Sequence, residues 1–217
     1  MAYSFIASVI AGSTDSINIT TGAINTTGAN LIVISSSWYS GATEPILSDS
    51  KSNTWTSIVS IGNTDSTDRL YYCVSPTIDS SHTFTLTSPG AGSFPSIGVV
   101  AFSGASGSPL DQFNSNFSGQ SGSITPTQNN EVVVSGMSSI DSATATVDSG
   151  FTGIAVPNVT AQHIGNGIAY LIQTTATSEN VTWSVGDGKV TIASFISGSG
   201  SAGFISLGPT IQYRRRR

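Results

Sequence analysis

Serine, histidine and aspartate are the raw material of nucleophilic catalysis, and this 217-residue chain is rich in serine but has two histidines, His82 and His163. No Gly-x-Ser-x-Gly stretch is present; that strained turn is what lifts a serine hydroxyl above the sheet of a hydrolase. Both histidines sit beside turn or strand-end residues, in Ser-Ser-His-Thr and Gln-His-Ile-Gly, where a solvated imidazole at a loop edge is expected. Zinc needs three or four His, Cys or carboxylate ligands at set spacings, and Cys73 with two distant histidines does not supply them. Asn63-Thr-Asp65-Ser-Thr-Asp68 offers oxygens to calcium without EF-hand spacing, and the same residue types are ordinary turn material. Asp141 and Asp148 are further isolated carboxylates. The string Gly198-Ser-Gly200-Ser-Ala-Gly203 matches G-x-G-x-x-G, but the Phe-Ile-Ser-Leu-Gly-Pro that follows cannot open a phosphate-binding helix, so it reads as a hairpin loop. The expectation is a protein that is not an enzyme, with no catalytic residue, cofactor or metal.

Two groups of residues are suited to binding. Trp38, Tyr39 and Tyr71 are candidates for an aromatic platform that would hold a glycan, with Phe113 and Phe117 as further exposed rings. In Arg69-Leu-Tyr-Tyr-Cys a two-residue period sends Tyr71 to the face opposite Leu70 and Tyr72, so one tyrosine should face outward. The second group is Arg214, Arg215, Arg216 and Arg217 at the C-terminus, open to three readings, a solvated terminus, a weak non-specific contact with nucleic acid and a clamp on an acidic surface of another subunit, of which the clamp is slightly favoured. Apart from that tail the basic residues are Lys51, Arg69 and Lys189, against 12 acidic ones. Nucleic-acid binders carry a basic patch on the folded body, so such a partner is not expected.

These side chains must be placed by strands. No window shows a 3.6-residue apolar period over helical length, while short alternating or β-branched runs closed by Gly, Pro, Ser, Asn or Asp recur throughout. Strands are expected at 3–10, 17–20, 31–35, 55–61, 69–74, 83–87 and 97–102. After a Gly/Ser/Asn-rich crossing at 103–123, more are expected at 131–135, 143–147, 153–156, 167–173, 181–185, 190–196 and 204–206. Only 9% of residues are charged, against about 25% in an average domain, and about three in ten are Ser or Thr. The surface should therefore be hydroxyl-rich. With one cysteine no internal disulfide exists, and Cys73 reads as a small buried hydrophobe. The N-terminus lacks a signal-peptide pattern and no apolar run reaches membrane-spanning length, so a protein made in a cytoplasm and without a membrane partner is expected.

The chain also repeats itself. INTTGANLIVIS from Ile24 lines up with ITPTQNNEVVVS from Ile124, pairing Val33 with Val133 and Ser35 with Ser135. With some drift the order persists. Asp49-Ser50 answers Asp148-Ser149, Trp55-Thr56 answers Phe151-Thr152, and Leu70 and Tyr72 answer Ile168 and Tyr170; HTFTL answers VTWSV, and Val99 and Phe102 answer Ile192 and Phe195. A unit near a hundred residues, present twice, fits two four- or five-stranded halves, interleaved or packed face to face. The expected fold is all-β: a jelly-roll-like antiparallel β-sandwich over residues 1–208, with pseudo-repeats at about 24–104 and 124–197 and a mobile basic tail at 209–217. Trp55, Phe84, Leu86, Phe102, Phe151, Trp183 and Phe195 are expected to fill the core between the sheets.

The succession NLIVIS, SDSKSNTWTSI, RLYYCVSP, HTFTLTSP and SIGVVAFSGASGSPLDQ resembles a β-sandwich family found in bacteriophage virion proteins and as modules of bacterial surface proteins. Its turn usually reads Asp-Ser-x-Gly-Asn-Thr-Trp; here it is Asp49-Ser-Lys-Ser-Asn53-Thr-Trp55, with Ser52 at the usual glycine. The resemblance implies a structural role and transfers no catalytic residue. The function expected from it is that of a virion component, a capsid decoration (cement) protein or head fibre. Its partners would be the major capsid protein or other virion subunits, and it would be a homo-oligomer, with a trimer the first guess. The alternative is a carbohydrate-binding or host-adhesion module.

Overall fold

The computed structural model describes residues 2–12, 17–140, 144–148, 150–156 and 164–198. The four arginines Arg214, Arg215, Arg216 and Arg217, together with His163, Asp141, the strand expected at 204–206 and the glycine string beyond Gly198, lie outside the described residues. Thirteen antiparallel strands and no helix make up the remainder.

The first half supplies one five-stranded sheet from β1 (Ser4–Ala11), β3 (Leu31–Tyr39), β5 (Thr56–Gly62), β6 (Ser66–Val74) and β8 (Ser96–Ser103). It also supplies a three-stranded sheet from β2 (Asn18–Thr20), β4 (Ile46–Asp49) and β7 (Phe84–Thr87). The second half supplies the other five-stranded sheet from β9 (Ala105–Asn116), β10 (Val132–Ser139), β11 (Thr152–Val156), β12 (Gly165–Ile172) and β13 (Lys189–Ser197). The orders are β5-β6-β3-β8-β1 and β11-β12-β10-β13-β9, one plan used twice. The halves pack face to face, not interleaved.

Pairing gives the equivalences residue by residue. Tyr72 faces Thr56 as Tyr170 faces Thr152, and Ser35 lies between Leu70 and Gly98 as Gly136 lies between Ile168 and Thr191. Several of the alignments expected from sequence hold, including Trp55 with Phe151 and Phe102 with Phe195. Others slip. Val33 points into the core between the sheets while Val133 points to the outer face, so the true counterpart of Leu31 is Val132. The second half has one more residue between its Ile and the strand, in a turn where Asn130 takes a φ of 61°. A one-residue slip exchanges the faces of a strand, which is why a pattern of consecutive apolar residues did not reveal it. Likewise HTFTL answers 179–183 in place of 181–185: Ile24 bridges His82 where Ile124 bridges Glu179, and Leu47 pairs with Leu86 where Val147 pairs with Trp183.

Three cores result, not one. Between the sheets lie Leu31, Val33, Leu70, Val100 and Phe102 against Val132, Val134, Ile168, Ala193 and Phe195. Outside the first sheet, Phe84 and Leu86 of the small sheet cover Ile32, Ile34, Ile97 and Val99, with Trp55 at the margin. Outside the second, Val181, Trp183 and Val185 cover Val133, Met137 and Ile192, with Phe151 at the margin. Of the seven side chains expected between the sheets, only Phe102 and Phe195 are there; the other five belong to the outer layers. Central strands apolar on both faces, such as β3, demand cover on both. The second half's cover makes isolated bridges at Val147–Trp183 and Gln120–Thr182 where strands were expected at 143–147 and 181–185.

The crossing expected at 103–123 contains the longest strand, β9. Gly104, at a φ of 103° and with no room for a side chain against the Ala2 carbonyl, turns the chain between halves. Among the described residues β9 then pairs only with β13, with two register shifts. Pro109, Gly107 and the lack of any β-branched residue in this strand are tolerated on such an edge. β4 was not foreseen.

One end of the inter-sheet space is polar and joins the halves. Asp68 of β6, fully buried, accepts hydrogen bonds from Ser35 Oγ (2.7 Å), Ser37 Oγ (3.2 Å) and, across the sheets, Thr191 Oγ1 (2.5 Å). Asn166, which occupies in the second half the position Asp68 occupies in the first, donates its amide to Ser35 Oγ (2.8 Å) and Ser37 Oγ (2.6 Å). The amide thus donates to hydroxyls that donate to the carboxylate. Gly136 leaves the space: a Cβ there would stand 2.7 Å from Asp68 Oδ2. Ser96 Oγ adds a bond to the Ile164 carbonyl.

Candidate functional site

The turn after β4 is built around Asp49. Its Oδ1 accepts from the Lys51 N–H (2.7 Å), and its Oδ2 from the Trp55 indole N–H (3.0 Å). Asn53 holds Thr77 by both amide atoms, at 2.7 and 3.1 Å. Ser52 adopts a φ of 58°, the left-handed region that favours glycine. Trp55 is therefore fixed at its nitrogen, and its ring meets Phe84 edge-on at 6.1 Å.

Behind this turn Thr26, His82 and Asp49 form an arrangement that resembles a catalytic triad in connectivity. Thr26 Oγ1 lies 3.0 Å from His82 Nδ1, and His82 Nε2 lies 3.4 Å from Asp49 Oδ1. It is not a nucleophile site. Thr26 and His82 are fully buried, and the Thr26 hydroxyl already donates to the Asp79 carbonyl and accepts from the Asp79 N–H, both at 3.1 Å. His82, expected as a solvated loop-edge imidazole, is instead a core residue stacked on Phe84 at 4.3 Å. The polar neighbours Ser-Ser and Thr concealed that β7 turns this ring inward. The group ties three segments together.

In front of the turn is an open cleft of about 460 Å³, lined by Glu44, Pro45, Ile46, Leu47, Asn53, Trp55 and Tyr71. Tyr71 lies on the outer face of β6, opposite Leu70 and Tyr72 as its period requires, but the small sheet covers its ring and leaves it 9% exposed. Its hydroxyl donates to Glu44 Oε1 at 2.5 Å, and Arg69 reaches the same oxygen at 2.9 Å. Burial first, then the Glu44 carboxylate, push the Tyr71 hydroxyl well above the ordinary phenol range, so it stays protonated and donates.

The remaining expected residues are placed as follows. Trp38 is 5% exposed, beneath the surface of β3, while its neighbour Tyr39 is 42% exposed; the two do not form one platform with Tyr71. Phe113 and Phe117 are exposed on and just after β9. Asp65 and Asp68 do not converge on an ion: Asp65 closes a turn through the Asn63 side chain, and Asp68 points between the sheets. Among the described residues no group of three or more His, Cys, Asp or Glu side chains could hold a metal. Cys73 is buried, which pushes its thiol up. Sequence reasoning missed Glu44, Ile46 and Trp55 as cleft residues; Ile46, 64% exposed, is the kind of exposed apolar residue that only a structure reveals.

A second carboxyl site lies at the root of β10. Glu131, fully buried, accepts from the Gln128 N–H at 2.9 Å and is held above the usual carboxylate range by burial, with the nearby Asp111 charge adding to it. Asp111 is held low despite burial, because Thr127 donates to it through both N–H (2.7 Å) and Oγ1 (2.9 Å). The pair pins the turn before β10 onto β9. Comparison of the chain with family models, with curated proteins and with solved structures finds no match.

Proposed function

We propose that this chain is a structural protein of a virion, a capsid decoration (cement) protein or head fibre that binds and stabilises the shell without catalysis. The observation that carries the reading is the long edge strand β9. Among the described residues it has a strand partner on one side only, with Phe113 52% exposed on it and Phe117 45% exposed just after it. An open edge with exposed rings invites a neighbouring chain, here a capsid subunit or another copy in a trimer. The rigid frame behind it supports the same role: the apolar sheet faces have their own cover, and buried polar side chains join the halves.

Charge supports the choice of partner. Among the described residues Lys51, Arg69 and Lys189 each lie within 4.0 Å of a carboxylate, so the body presents an acidic surface with its cations already paired. The basic charge left for another subunit belongs to Arg214, Arg215, Arg216 and Arg217. Electron microscopy of particles from the source tests the proposal: density for the chain on the shell is expected, and its absence from purified capsids overturns the reading. Deleting the four arginines should lower capsid occupancy, more so at low salt because the contact is screened; unchanged occupancy removes the tail from the mechanism.

A further inference from the structure

We propose that the cleft between the small sheet and β6 binds a saccharide, with Trp55 as the stacking surface and Glu44 as the hydrogen-bond acceptor. The first observation is that the two halves carry different side chains at the positions around the cleft. In the second half Gly167 and Ala169 stand where the first has Arg69 and Tyr71, and the indole of Trp183 fills the space over them. A Cβ on Gly167 would meet that ring at 2.8 Å, and its N–H is spent on Ser135 Oγ at 3.1 Å. The first half has Leu86 at the position of Trp183. The bulk comes instead from Tyr71 on the sheet, which leaves the margin between sheet and cover open. At these positions the duplicated plan carries small residues under Trp183 in one copy and Arg and Tyr beside Glu44 and an open cleft in the other, which gives the first half a polar surface that packing alone does not require.

The second observation is the chemistry of the lining. Trp55 is half-buried and immobilised at its nitrogen, so its ring is presented without further ordering cost. A pyranose ring offers a face of C–H groups to such a surface and hydroxyls at its rim. Tyr71 and Arg69 share Glu44 Oε1, which leaves Oε2 to accept from a ligand hydroxyl. Because Arg69 balances the carboxylate, the cleft suits a neutral polyhydroxylated ligand better than a cation. Its volume suits one or two sugar rings, at the small end of ordinary ligand sites. The saccharide site does not rest on the virion reading, and each can fail alone.

The test is NMR titration of the full ¹⁵N-labelled chain with a panel of methyl pyranosides, followed by a glycan array. The chain has three tryptophans, of which Trp38 and Trp183 are buried, so the Trp55 indole signal should move while the other two stay. A monosaccharide Kd near the millimolar range is expected; Glu44→Gln should weaken it by about fivefold, the worth of one hydrogen bond to the ligand, and Tyr71→Phe by a similar factor because it removes the hydrogen bond that positions Glu44. Both variants keep the packing surface, so their melting temperatures should stay near that of the parent. No shift at Trp55 with any glycoside and a blank array overturn the proposal. So does a shift that both variants leave unchanged, or one confined to Trp38 or Trp183.

Discussion

Asp68 shows how much a single residue sets the behaviour of the seam between the halves. Burial, working against the hydrogen bonds from Thr191, Ser35 and Ser37, pushes its carboxyl from 3.8 up to about 7. A carboxyl with a raised folded-state value holds a proton that the unfolded chain has released, so its contribution to stability is full below about pH 4, falls as pH rises, and is gone above about pH 7. A shift of that size corresponds to about 4 kcal/mol. Glu131 acts in the same direction. Asp68→Asn, which cannot ionise, should flatten most of the decline in the urea midpoint between pH 4 and 7, leaving the share due to Glu131. It should equal or exceed the parent in stability at pH 8. An unchanged slope in the variant would show that Asp68 is not the titrating group.

At the scale of elements, what could be read from sequence depended on whether a segment's partners were local. Strands with apolar or β-branched alternation, such as β6 and β8, were placed within a few residues, and the Asp49–Trp55 turn was visible from its Asx and Asn residues. β9 was missed because an edge strand pairs on one side only and needs little β-propensity. The layer of each aromatic was missed because alternation gives a face, not what lies above it; Phe84 and Phe102 look alike in sequence and belong to different cores. For the candidate site, Tyr71 was legible through its period, whereas Glu44 and Ile46 enter the cleft only by the path of the chain into β4. The turn itself offers a sharp check. Ser52 holds a left-handed φ that costs a non-glycine residue roughly 1 kcal/mol, partly offset by the chain entropy glycine loses on folding. Ser52→Gly should therefore raise stability modestly, by about 0.5 kcal/mol, and Ser52→Val should lower it, both measured by thermal unfolding. A destabilising glycine would mean that the Ser52 side chain has a role beyond the turn.

For the molecule as a whole, the duplication raises the question of whether either half is a folding unit. Each has its own sheet, its own cover and its own outer core, which argues for independence. Against it stands the inter-sheet core, to which the first half gives Leu31, Val33, Leu70, Val100 and Phe102. At roughly 2 kcal/mol for each large side chain, exposing this face forfeits on the order of 10 kcal/mol, comparable to the whole stability of an ordinary domain. Separation would also strip Asp68 of Thr191 and leave Asn166 without Ser35 and Ser37, exposing polar groups arranged for each other. The second term matters less, because water replaces those partners. The hydrophobic loss decides. Fragments cut after Gly104 should each lack cooperative thermal unfolding and dispersed NMR spectra alone, and should regain both when mixed at equimolar concentration. A fragment that unfolds cooperatively near the parent's melting temperature would place the stability in the outer cores and make the two halves separate domains.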